Sequence, residues 1–115
     1  MSVARKEHRR HPRFPLGLPV RLTVAGRGEF IIVELMDLSA TGGRFRVAPE
    51  VVSVDDVSVN DRAAFGFVIP GQRHCVASGR VVRVRDAGEF ALSLERANEA
   101  FRGFFGVLSG QVPPP

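Results

Sequence analysis

Alternation is the feature that most constrains this chain. PVRLTV, residues 19–24, sets Val20, Leu22 and Val24 against Arg21 and Thr23, the period-two pattern of a strand with one buried and one wet face. AGRGE then reads as a hairpin turn, and FIIVELM follows as a β-branched run buried on one or both faces. DLSATGG interrupts with turn residues, and GRFRV resumes the alternation at Phe45 and Val47. AAFGFVIPG places Phe65, Phe67 and Ile69 on one face and stops at Pro70-Gly71. CVASGRVVRVRD reads as a long strand whose alternation falters near Gly79, as a bulge produces. DAGEF turns the chain into FALSL, which groups Phe90, Leu92 and Leu94. Residues 49–61 are the least legible and read as a short strand plus loop. Six strands with turn signals at roughly 8–12-residue spacing argue for an antiparallel barrel or a sandwich.

The period changes near the C-terminus. Ala97, Phe101, Phe104, Phe105 and Leu108 recur at the spacing of one helix face. Asn98 is placed to cap this helix, and Gly110 with the prolines at 113–115 marks its stop. Gly103 and Gly106 each cost such a helix about 1 kcal/mol relative to Ala, so it needs tertiary packing. Plugging an open end of the barrel supplies that packing; a partner-docking surface is the rival role.

At 115 residues the chain is one domain, long enough to bury a core without staples. The single Cys75 excludes an intramolecular disulfide and offers no metal-ligand cluster. The charged N-terminus has no secretory h-region and no apolar run approaches membrane-spanning length, so a cytoplasmic location without membrane insertion is expected. No nucleophile elbow, HExxH, P-loop or Cys/His metal spacing is present, and catalysis is not expected.

Charge is informative once it is located. Residues 1–13 hold Arg5, Lys6, Arg9, Arg10 and Arg13 against Glu7, which equals the net charge of +4 of the whole chain. The remaining 102 residues hold 11 basic and 11 acidic side chains and sum to zero. A neutral body with a cationic arm suggests a localised anionic partner.

Two motifs stand out. Arg9 and Arg13 form Arg-x-x-x-Arg, a spacing that carries little alone, since roughly two such pairs arise by chance in a chain this rich in Arg. Asp37, Ser39 and Gly42 form Asp-x-Ser-x-x-Gly where one strand ends and the next begins. Its local reading is a β-turn in which Asp and Ser cap backbone N–H groups and the Gly is left-handed. Chemically, Asp37 can accept from the N1–H and N2–H₂ edge of guanine, Ser39 offers a hydroxyl, and Gly42 with Gly43 admits a ligand close to the backbone. Arginines supply donors for guanine O6/N7, for phosphates and for stacking on a purine face. A ligand wanting all of these contains guanine and phosphate together.

RRHPR followed by FPLGLPVRL, with DLSATGG about two dozen residues later, resembles the PilZ domain, the bacterial receptor for cyclic di-GMP. The resemblance runs from about residue 7 to 109 and includes the GRVVRV strand and the C-terminal helix. It implies an all-β fold with a C-terminal α-helix: a six-stranded antiparallel barrel at 14–109, its helix at about 97–109. A flexible basic arm at 1–13 precedes it and a Pro-rich tail at 110–115 follows. It implies that Arg9 and Arg13 take guanine and phosphate contacts with Arg10 in support, that Asp37 takes a guanine edge and Ser39 a nearby polar contact, and that Gly42 permits close approach. The position before the first motif Arg, which in that family influences ligand stoichiometry, is His8 here.

The function implied is a cyclic di-GMP receptor whose arm orders on binding and signals to an unidentified protein partner, with no cofactor. The alternative is a small barrel binding single-stranded nucleic acid through its basic arm. That alternative requires aromatic stacking residues on an exposed strand face, whereas the Phe residues here fall mostly in phase with core faces, so nucleic acid is not the expected partner.

Overall fold

The computed structural model describes residues 12–47, 57–71, 73–85 and 88–111. The arm up to His11, most of the segment read as strand plus loop, and the closing prolines lie outside the described residues. Strands β1 (Phe14–Val24), β2 (Phe30–Leu38), β3 (Gly42–Val47), β4 (Arg62–Val68), β5 (His74–Val84) and β6 (Glu89–Ala97) are followed by helix α1 (Glu99–Leu108). All pairings are antiparallel, and the order β1-β2-β3-β6-β5-β4 closes on itself through β1 and β4. Of the two architectures that the alternation allows, the chain adopts the barrel. Closure removes the unpaired edges that an open sheet would expose.

The inward positions are those that the alternation marks. Val20, Leu22, Val24, Phe45, Val47, Phe65, Phe67, Phe90 and Leu92 are all buried. Phe45 stacks on Phe90 at 5.2 Å and meets Phe65 edge-on at 4.9 Å, so aromatic rings bridge β3, β6 and β4 across the interior. β2 buries only one face: Val33 and Leu35 point inward, while Phe30 and Ile32 are about half exposed. Ile69 and Leu94, expected in the core, are partly buried at its margin. Cys75 lies fully inside, and burial pushes its thiol up from its ordinary value, so it behaves as a small apolar side chain.

The alternation breaks at defined bulges. Near Gly79 the register does shift, but the extra residue is Glu95 on the facing strand β6. A shift between Pro15 and Leu18 on β1 includes the left-handed Gly17, and two more, at Met36 on β2 and at Val82 on β5, lie where the sequence gives no local warning. The last two govern the site described below.

A single residue, Asn98, separates the end of β6 from the start of helix α1, so Ala97 belongs to the strand. Asn98 joins the two: its side-chain oxygen accepts from the Phe101 N–H at 2.8 Å, and its amide donates to the His74 carbonyl at 2.9 Å. One residue thus caps the helix and ties it to β5. At the other end Gly110 is left-handed, with Gly110 N–H bonded to the Val107 carbonyl and Gln111 N–H to that of Gly106, a Schellman stop. Between the caps Phe101 inserts into the core against Phe65, and Phe104 meets Phe67 edge-on at 5.1 Å. Phe105 reaches Phe14 at the root of the arm, 5.8 Å between centroids. The helix lies across the barrel end formed by the start of β1, the end of β4 and the start of β5. Removing its buried anchor with Phe101→Ala is expected to lower unfolding free energy by about 3–5 kcal/mol, read by urea denaturation.

Candidate functional site

Strict alternation from Val33 and Leu35 would aim residue 37 into the barrel. Met36 prevents this: Leu35 pairs with Phe45 and Asp37 with Arg44, so Met36 is an extra residue on β2. Leu38 then takes the inward position, and Asp37 turns to the outer wall opposite Arg44. Val82 does the same on β5. Val81 pairs with Leu92 and Arg83 with Ala91, so Val84 packs against the core while Arg83 faces outward. Two bulges therefore re-aim two charged residues onto one wall.

The result is a cross-strand row, Asp37, Arg44, Ala91 and Arg83, running over β2, β3, β6 and β5. At about 4.8 Å per strand it spans roughly 14 Å. Beside it lie Gly42 and Ser93, also paired. Small residues along the middle and guanidinium groups around them leave a concave site of about 560 Å³. Its lining includes Arg13, Asp37, Ser39, Gly42 and Gly43, joined by Arg44, Arg83, Arg85 and Glu89. The structure thus brings together every motif residue that it describes; Arg9 and Arg10 lie outside the described residues.

Sequence reading missed Arg44, Arg83 and Arg85 as members of this site. Although the body of the chain sums to zero charge, this wall gathers three of its arginines, with Arg13 of the arm, against the two carboxylates of Asp37 and Glu89. The alternation in GRFRV places Arg44 and Arg46 on the outer face, which was the available signal; only the bulge sets Arg44 opposite Asp37.

Asp37 is the one buried polar or charged side chain among the described residues, 7% exposed. Arg44 holds its Oδ2 with two nitrogens, Nε at 2.7 Å and Nη2 at 2.6 Å, while Arg13 Nη1 stands 3.9 Å from Oδ1. That hydrogen bonding raises the Arg44 guanidinium above its ordinary value, against a smaller opposing effect of burial. Arg46 is raised likewise by its bond to Glu34 on the neighbouring rung.

The turn at Ser39 is self-contained. Its Oγ accepts from Gly42 N–H at 3.2 Å and from Thr41 N–H at 3.3 Å, and its own N–H donates to the Gly42 carbonyl at 2.8 Å. Gly42 is not left-handed, contrary to the local turn reading. Its need for glycine is spatial: a Cβ there would stand 2.6 Å from the Leu92 carbonyl. At Gly43 a Cβ would crowd Leu38, Phe45 and Leu35 at 3.2–3.3 Å, on the core side. Both glycines therefore serve the packing of β3 whether or not a ligand is present.

Among the described residues no group of three His, Cys, Asp or Glu side chains is placed to hold a metal ion, and no helix is long and apolar enough to cross a membrane. What the wall can do chemically is hold an anion, through guanidinium forks around a floor of small residues. The fold is thus a closed six-stranded barrel with a concave cationic wall. The chain belongs to the PilZ domain family, whose model matches residues 7–102. PilZ domains constitute a family of cyclic di-GMP-binding receptors. Among curated proteins none matches the chain significantly.

Gly42→Ala should lower stability by about 1–3 kcal/mol with no ligand present, because the obstacle is backbone. An unchanged thermal midpoint would mean that β3 and β6 can separate at no cost.

Proposed function

We propose that this chain is a cyclic di-GMP receptor and that its ligand lies on the β2-β3-β6-β5 wall. The observation that carries this reading is the convergence of Arg13, at the root of the arm, with Asp37, Ser39, Gly42 and Gly43 around one concavity. These residues are separated by about two dozen positions in sequence and are brought together by barrel register. Its volume lies within the roughly 300–1,000 Å³ of small-molecule sites. Arg9, Arg10 and Arg13 would grip phosphates and guanine O6/N7 or stack on a base, with Arg83 and Arg85 as the facing cationic rim. Asp37 would accept from a guanine edge and Ser39 would offer a polar contact nearby.

The arm is the moving part of this reading. Its cationic side chains repel one another until ligand phosphates neutralise them, so binding orders residues 1–13 against the barrel. A downstream protein then reads the fixed arm. Because Phe14 touches Phe105, ordering at Arg13 also bears directly on the packing of α1.

The nucleic-acid alternative lacks a stacking platform on this wall. Phe90, the one aromatic residue lining the concavity, is 3% exposed, and the half-exposed Phe30 sits on β2 beneath Arg21.

Calorimetric titration with cyclic di-GMP, with GMP and a short oligonucleotide as controls, tests the reading. Saturable binding of cyclic di-GMP alone is expected, weakening with salt, and its stoichiometry reports whether one ligand or a stacked pair binds. Absence of heat with cyclic di-GMP, or equal binding of the oligonucleotide with a steep salt slope, overturns it. Arg13→Ala should weaken binding by roughly ten- to hundredfold. Its thermal midpoint should barely move, since Arg13 is half exposed and its ion pair is long. Hydrogen exchange at residues 5–14 should slow on ligand addition; equal protection in both states would sink the ordering step.

A further inference from the structure

We propose that Arg44 is a positioning residue that sets how the site reads a base, by occupying one oxygen of Asp37 and leaving the other to the ligand. This rests on the cyclic di-GMP reading above. A carboxylate oxygen has two lone-pair directions. Arg44 takes one of these on Oδ2 through its Nε–H at 2.7 Å, with Nη2 beside it at 2.6 Å, so the guanidinium stands over this oxygen of a side chain that is only 9% exposed. Among the described residues Oδ1 is faced by the Arg13 Nη1 at 3.9 Å, beyond hydrogen-bond distance, and accepts no hydrogen bond from them.

The clamp does not open easily. Asp37 is buried, its side chain 9% exposed, and a buried carboxylate stripped of its partner is costly. The Met36 bulge fixes Arg44 directly across the strand pair from it. Exchanging a charge-assisted ion pair for bonds from the neutral donors of a base is unfavourable. Arg44 is also the more strongly protonated for this contact, so it stays cationic across the pH range of the fold.

The consequence concerns specificity. The edge of guanine presents N1–H and one N2–H side by side, a fork that a free carboxylate takes with one oxygen each. A carboxylate held at Oδ2 takes only one of them. The 2-amino group of guanine then adds little, and hypoxanthine, which keeps N1–H and O6 but lacks that amino group, is accepted nearly as well.

The test measures the affinity of cyclic di-GMP and of its inosine counterpart for the wild type and for Arg44→Ala, with thermal melts confirming the fold. In the wild type the two ligands should differ by no more than about threefold, because the amino group finds no free acceptor. In Arg44→Ala the preference for the guanine compound should rise to about tenfold or more, since Oδ2 is released. General damage to the fold would weaken both ligands together and leave their ratio unmoved. Arg44→Lys keeps Asp37 paired but covers Oδ2 with a single ammonium instead of a planar guanidinium, so its ratio should fall between the others. That variant decides the question if the alanine protein does not fold. A wild-type preference already tens-fold in favour of guanine, or a ratio unchanged by both substitutions, overturns the clamp while leaving the receptor reading intact. Failure of the wild type to bind either compound overturns both.

Discussion

Closure of the barrel is the constraint on which the rest depends. Once β1 pairs with β4, every strand must keep one face inward along its whole length, and a side chain leaves that face only where the register slips. The slips at Met36 and Val82 are where charge is brought out to the wall. Without them Asp37 and Arg83 would point into a core of Val, Leu and Phe, where unpaired charge is untenable. The same two bulges therefore protect the core and build the site, which ties the stability of this fold to the geometry of its binding wall.

Electrostatics on that wall is local. The body carries equal numbers of basic and acidic side chains, yet three of its guanidinium groups join Arg13 around one concavity and a buried carboxylate lies at its edge. Most other ion pairs are exposed, such as Arg73 with Glu99, and contribute little. Asp37 with Arg44 differs because the carboxylate is buried, which weakens the competition of water on that side of the pair. It adds a side-chain tie to the backbone pairing of β2 and β3, and Arg13 at the root of the arm stands 3.9 Å from the other oxygen of Asp37.

The helix connects that corner to the far side of the core. Phe101 joins the interior rings, Phe105 meets Phe14, and Arg13 is the residue next to Phe14. Plugging the barrel end, the role its apolar stripe suggested, accounts for its buried face. The two glycines in its sequence are tolerated because tertiary contacts and two good caps hold it, rather than intrinsic propensity.

Much of this was determined by the sequence alone. Period-two alternation placed six strands and most of their inward residues, because burial on one face leaves a direct trace in residue order. The change of period placed the helix, and Asn98 and Gly110 marked its ends through capping chemistry that is local by nature. The motif residues Arg13, Asp37, Ser39, Gly42 and Gly43 were likewise legible. Alternation alone left barrel and sandwich open and the PilZ resemblance implied the barrel; the pairing of the first and fourth strands, which only the tertiary structure shows, closes it. The tertiary structure alone showed that Gly42 answers to the Leu92 carbonyl, and that Arg44, Arg83 and Arg85 share a wall with the motif. Cross-strand neighbours are set by register, and register here turns on single inserted residues, Met36 and Val82, whose side chains look like any others in a strand.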